Sequence, residues 1–102
     1  MSISFTQTII SRLKREIANI EKQCMDEKRK KDKAQTKLKQ LQKDSKKSTL
    51  PSDLSSKLTR INKLNEELTE INKKQAQLST LLSNKKVELN QYLSKTIQLE
   101  NK

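Results

Sequence analysis

Glycine, histidine and tryptophan are absent from this 102-residue chain, and proline, cysteine, phenylalanine and tyrosine occur once each. Each absence closes a class of function. Without glycine there is no phosphate-cradling glycine loop, and without histidine there is neither an imidazole base nor a His-containing zinc site. Cys24 alone makes no intramolecular disulfide and no multi-thiolate metal site; it reads as a buried small side chain and suits an intracellular protein. With 30% hydrophobic residues and only Phe5 and Tyr92 as aromatics, nothing fills a thick multilayer core. We therefore expect a non-enzyme with no cofactor, no metal and no catalytic residues. The opening MSISFTQTII has no basic region ahead of an apolar stretch, and no run approaches the ~18 apolar residues of a membrane span. A soluble cytoplasmic protein is the expectation.

What is present is aliphatic and regularly spaced. From Ile3 the chain alternates steps of three and four through Thr6, Ile10, Leu13, Ile17, Ile20, Cys24, Glu27, Lys31, Ala34, Leu38 and Leu41. That is the 3.5-residue repeat of packed helices, with Ile3, Ile10, Ile17, Cys24, Lys31 and Leu38 at the a positions. A second, stronger register starts near Ile61 and runs through Leu64, Leu68, Ile71, Gln75, Leu78, Leu82, Lys85, Leu89, Tyr92, Thr96 and Leu99. Between them lies DSKKSTLPSDL. Pro51 lacks a backbone N–H and disfavours a helical Leu50, while Ser48, Thr49, Ser52 and Asp53 are candidate caps. The reading is a single coiled-coil domain over 1–102, with helix one at about 4–44, a turn at about 45–52 and helix two at about 53–100.

Two long helices joined so briefly fold back, so the expected fold class is all-α, an antiparallel two-helix coiled-coil hairpin. Facing residue numbers then sum to a constant. A sum near 102 pairs Leu41 with Ile61, Leu13 with Leu89 and polar Glu27 with polar Gln75. A sum near 95 pairs Leu41 with Leu54 and Glu27 with Leu68. The first is favoured because it sets polar against polar. Glu27, Lys31, Gln75 and Lys85 interrupt the apolar seam and read as devices that fix register or oligomer state.

Apolar residues also lie off the seam: Phe5, Ile9, Ala18 and Met25 in helix one, Leu81, Val87, Leu93 and Ile97 in helix two. They gather at the end carrying both termini, whereas the turn end reads as narrow and charged. The expected consequence is self-association through Phe5, Ile9, Met25, Leu81, Leu93 and Ile97, dimerising the hairpin into a four-helix bundle; scattered surface Leu and Ile of no consequence is the alternative.

Residues 28–47 hold ten Lys or Arg against two Asp, so +8 of the net +11 lies there. Lys28, Arg29, Lys30, Lys33, Lys37, Lys46 and Lys47 are the candidates for an anionic partner such as nucleic acid or another anionic surface. Against nucleic acid, the stretch has no aromatic for stacking and no base-reading signature. It reads first as the solvated side of a helix.

Residues 48–95, STLPSDLSSKLTRINKLNEELTEINKKQAQLSTLLSNKKVELNQYLSK, carry a resemblance. With Ser52, Leu54, Ser56, Lys57, Leu58 and Ile61 opening the helix after Pro51, the segment resembles the N-terminal coiled coil that precedes the TIR domain in many bacterial TIR proteins. IISRLKREIANIEKQ resembles the helix before that loop. The resemblance implies a self-association or autoregulatory module serving an effector, fused or separate, commonly an NAD-cleaving TIR domain in antiphage defence. No catalytic Glu in a TIR context lies among these residues, so NAD cleavage is not assigned to them; the chain is expected to be an excised domain or a freestanding relative.

Overall fold

The computed structural model describes the backbone of residues 3–100 and the side chains of residues 5–96. It holds two helices, α1 (Ile3–Lys47) and α2 (Pro51–Glu100), and no strand among the described residues. Neither helix contains glycine, and the one proline stands at the first position of α2, where a missing N–H costs nothing. The Leu54 N–H donates to the Leu50 carbonyl at 3.0 Å and opens α2. At the close of α1 the Ser48 N–H donates to the Ser45 carbonyl at 3.3 Å, with Lys46 and Lys47 in the last turn, where cations favour the helix dipole.

The connection is therefore three residues, 48–50, shorter than the turn expected at about 45–52. The reason is local: proline begins a helix as readily as it ends one, so α2 starts on Pro51 and not beyond it. The capping residue is Leu50, 64% exposed, and not a hydroxyl or carboxylate. Of the four expected caps, two act across the loop instead. The Ser48 hydroxyl donates to Asp53, in the first turn of α2, and Lys57 Nζ reaches the same Asp53 oxygen at 2.8 Å. Asp53 is held below the ordinary carboxylate range, first by the hydrogen bond from Lys57 and then by that from Ser48.

The helices pack against each other as an all-α hairpin, and the chain divides into two compact halves, each built from both helices. The terminal half comprises residues 1–25 and 77–102, and the loop half residues 26–76. In the terminal half Thr6, Ile10, Leu13, Ile17 and Ile20 are buried on α1 and Leu78 on α2. In the loop half the buried residues are Ala34 and Glu27, with Lys31, Leu38 and Leu41 half-buried on α1 opposite Ile61, Leu64, Leu68 and Ile71. All of these sit on the alternating seam. On α2 the seam also reaches back to Leu54 and Lys57, both half-buried, so it starts with the helix. The side chains of Ile3 and Leu99, the outermost seam positions, lie outside the described residues.

Among the described residues an ion pair between the helices marks the register in each half. Lys85 meets Glu16 at 2.6 Å in the terminal half, and Lys74 meets Glu27 at 3.2 Å in the loop half. The numbers of each pair total 101, one off the favoured constant of 102 and far from 95.

Candidate functional site

The terminal half carries the expected self-association residues. Phe5 is 54% exposed, Met25 57% and Leu81 43%. Ile9 and Leu93 are only half-buried, because positions beside the seam let an aliphatic side chain fold over the neighbouring helix; Ile97 lies outside the described side chains. Val87, 55% exposed, joins the set. These residues do not make one wide face. Ile9 and Leu81 each directly precede an a position, Ile10 and Leu82, and Phe5 lies one turn before Ile9, which puts the three on one flank of the hairpin. Met25 and Leu93 take positions on the opposite flank.

Nor is the loop half free of exposed aliphatics. Leu50 and Leu58, 64% and 48% exposed, stand there, so the expectation that apolar surface gathers only at the terminal end is corrected. Leu58 follows the seam residue Lys57 directly and points off the interface for that reason.

The basic stretch is solvated along its length: Lys28, Arg29, Lys30, Lys33, Lys37, Lys46 and Lys47 are all exposed. Arg29 lies 4.0 Å from Asp26, and Lys30 reaches Glu27 at 3.2 Å. Glu27 is the unusual member of this region, since its side chain is 5% exposed while Lys30 and Lys74 that hold it are 62% and 53% exposed. Burial raises its pKa, and hydrogen bonds from Lys30 and Lys74 outweigh that, so its carboxyl lies below the ordinary range. Glu16 is lowered as well, chiefly by the hydrogen bond from Lys85, with desolvation opposing and the Lys85 and Arg12 charges assisting. A polar seam position at Glu27 was legible in the sequence. Its two-sided clamp was not, because Lys74 arrives only once the register is set.

Between the helices of the loop half runs a groove on the flank shared by Lys37, Arg60 and Glu67, with Leu41 and Leu64 in its floor. It continues along Ala34 and Ile71, past Lys30 and Lys33. Arg60 and Lys63, missed by a reading of the basic stretch alone, complete its rim.

Among the described residues no cluster of His, Cys, Asp and Glu is placed to hold a metal, and no helix is long and apolar enough to cross a membrane. Cys24 is a half-buried free thiol on the seam. No family model, curated protein or solved structure matches this chain.

Proposed function

We propose that the chain is a non-enzymatic coiled-coil module that self-associates through its terminal half and thereby organises an effector; the candidate is a TIR domain in bacterial defence, because the loop and second helix resemble the coiled coil that precedes one. The observation that carries this reading is the exposure of Phe5 and Leu81, with half-buried Ile9 between them in the heptad pattern, on one flank of a half whose α1 seam is already buried. Charge supports the same location. The terminal half has eight basic against four acidic residues, net +4, while the loop half has fifteen against eight, net +7, so two copies meet with less repulsion at the terminal end. The flank of Phe5, Ile9 and Leu81 is the contact, two hairpins laid flank to flank making a four-helix bundle.

Sedimentation at micromolar concentration tests the proposal and should show a dimer; a plain monomer overturns it. Leu81→Asp should shift the dimer to monomer with helix content unchanged by circular dichroism, because the new carboxylate is buried only in the assembly. Met25→Asp, on the other flank, should leave the dimer intact. The effector is tested by reading the native coding frame past Lys102: a TIR or other catalytic domain there supports the fused form, and an immediate stop overturns it.

A further inference from the structure

The groove of the loop half differs from the rest of the basic surface in having an apolar floor. Leu41 and Leu64 lie at its loop-ward end, and Ala34 and Ile71 farther along. From Lys30 to Leu41 it follows twelve residues of α1, eleven steps of ~1.5 Å or roughly 16 Å, the length of three helical turns. Its rims are charged unequally. The α1 rim is Lys30, Lys33 and Lys37; the α2 rim is basic at Arg60 and Lys63, then acidic at Glu66, Glu67 and Glu70. Lys30 is committed to Glu27, but Lys33, Lys37 and Lys63 form no ion pair among the described residues. The lining is thus basic on balance, five Lys or Arg against Glu66, Glu67 and Glu70, with its basic groups on the α1 rim and toward the loop, over a strip of aliphatic side chains.

We infer that this groove docks an amphipathic helix of a partner protein, its apolar stripe on Leu41, Leu64 and Ile71 and its carboxylates against Lys33, Lys37 and Lys63. The match is one of shape and charge together: a helix in a groove is held by residues at i, i+3, i+4 and i+7, and the rim selects the sign of the residues flanking them. The occupant is not a second copy, because the loop half carries a net +7 and two of them repel each other. Nor is it nucleic acid. No aromatic lies within residues 26–76 to stack on a base, and Glu66, Glu67 and Glu70 line one side, where a phosphate backbone would be repelled. The acidic stretch of the α2 rim also gives the partner a direction, with its carboxylates toward α1 and the loop and any basic residue toward Glu66–Glu70. The groove lies in the loop half, and none of its lining residues belongs to the Phe5, Ile9 and Leu81 contact proposed for the terminal half.

The test uses the full chain and a fluorescein-labelled synthetic helix of ~18 residues, with Leu at i, i+3, i+4 and i+7, Glu on the flank that meets Lys33, Lys37 and Lys63, and Lys on the flank that meets Glu66, Glu67 and Glu70, read by anisotropy at ~0.15 M salt. The expected result is saturable binding that weakens by about tenfold or more for a scrambled peptide of the same composition, and equally for the Lys37→Glu/Lys63→Glu double variant. Lys39→Glu/Lys43→Glu, on the outer surface of α1 away from the groove, should change it by no more than about twofold. All four positions are exposed, and circular dichroism verifies that both variants keep their helices. Equal binding of the scrambled peptide, or an equal loss in the outer-surface variant, overturns the proposal in favour of diffuse charge attraction. An unlabelled single-stranded oligonucleotide displacing the peptide at lower concentration than unlabelled peptide does overturns it for nucleic acid. A change of oligomeric state in Lys37→Glu/Lys63→Glu overturns it for a second copy.

Discussion

The two halves are built from the same pair of helices in the same seam, yet they are held by different means. On α1 of the terminal half Ile10, Leu13, Ile17 and Ile20 are buried in succession, an aliphatic run that follows buried Thr6. In the loop half the fully buried positions are a small residue, Ala34, and a charge, Glu27, while Leu38, Leu41 and Ile61 remain half in water. Each half has an ion pair across the seam, but the first adds a run of buried aliphatics on α1, whereas the second adds half-buried aliphatics and the tie across residues 48–50. A seam can therefore be continuous in pattern and discontinuous in energy.

The sharpest way to break the comparison is to remove one leucine from each half. Leu13 is fully buried, so Leu13→Ala should cost about 2–5 kcal/mol, a transfer loss plus a cavity. Leu38→Ala, at a half-buried position, should cost roughly half of that or less, because much of its surface is already wet. Thermal and urea unfolding of the two variants measure the ratio. Equal losses would mean that the loop half is as tightly packed as the terminal half.

Next in size is the effect of acid. Glu16, Glu27 and Asp53 all have folded pKa values below their ordinary ones, so each contributes stability that is present above the ordinary value of about 4 and lost as pH falls through the lowered folded value. Two of the three lie in the loop half, which also carries the greater basic charge. Lowering the pH from 7 to 3 should therefore unfasten residues 26–76 before the terminal half. Hydrogen exchange followed segment by segment measures this, with amides of the loop half losing protection at the higher pH. Simultaneous loss in both halves would show that apolar burial, and not these carboxylates, sets the difference.

Glu27 sharpens the comparison in another direction. A buried carboxylate held by two lysines is a poor source of stability relative to a packed aliphatic, but it opposes every register that would bury it without Lys74. Glu27→Leu should leave the melting temperature unchanged or raise it, while broadening the distance measured between spin labels at Lys33 and Arg60. A narrow, unchanged distance distribution would assign the register to the terminal half alone.

These differences also mark how far the sequence could be read. The three-four alternation from Thr6 to Leu41 and from Ile61 to Thr96 carries both helices, because a period of 3.5 over so many turns has no other regular solution, and matching polar Glu27 to Gln75 selected the register that the Glu16–Lys85 and Glu27–Lys74 pairs display. The loop ends were not legible to better than three residues, since proline permits a helix to start on it or just after it. The seam positions Leu54 and Lys57 were missed with them. The split of Phe5, Ile9 and Leu81 from Met25 and Leu93 depends on which flank each residue takes, and the groove on flanking positions of both helices. Neither exists in one helix read alone.

The smallest expected effect lies at the loop itself. Pro51 occupies the first position of α2, where its ring matches the helical backbone and no hydrogen bond is forfeited. Its contribution comes from narrowing the unfolded chain, so Pro51→Ala should cost about 0.4–1 kcal/mol with the folded contacts unchanged. If the loop half is the weaker of the two, that loss should appear mainly as faster exchange of amides in residues 26–76, with amides around Leu13 and Leu78 moving only as far as global unfolding requires. An equal shift in both halves would show that the hairpin opens as one cooperative unit, and that the contrast in buried aliphatics between the halves has no counterpart in its opening.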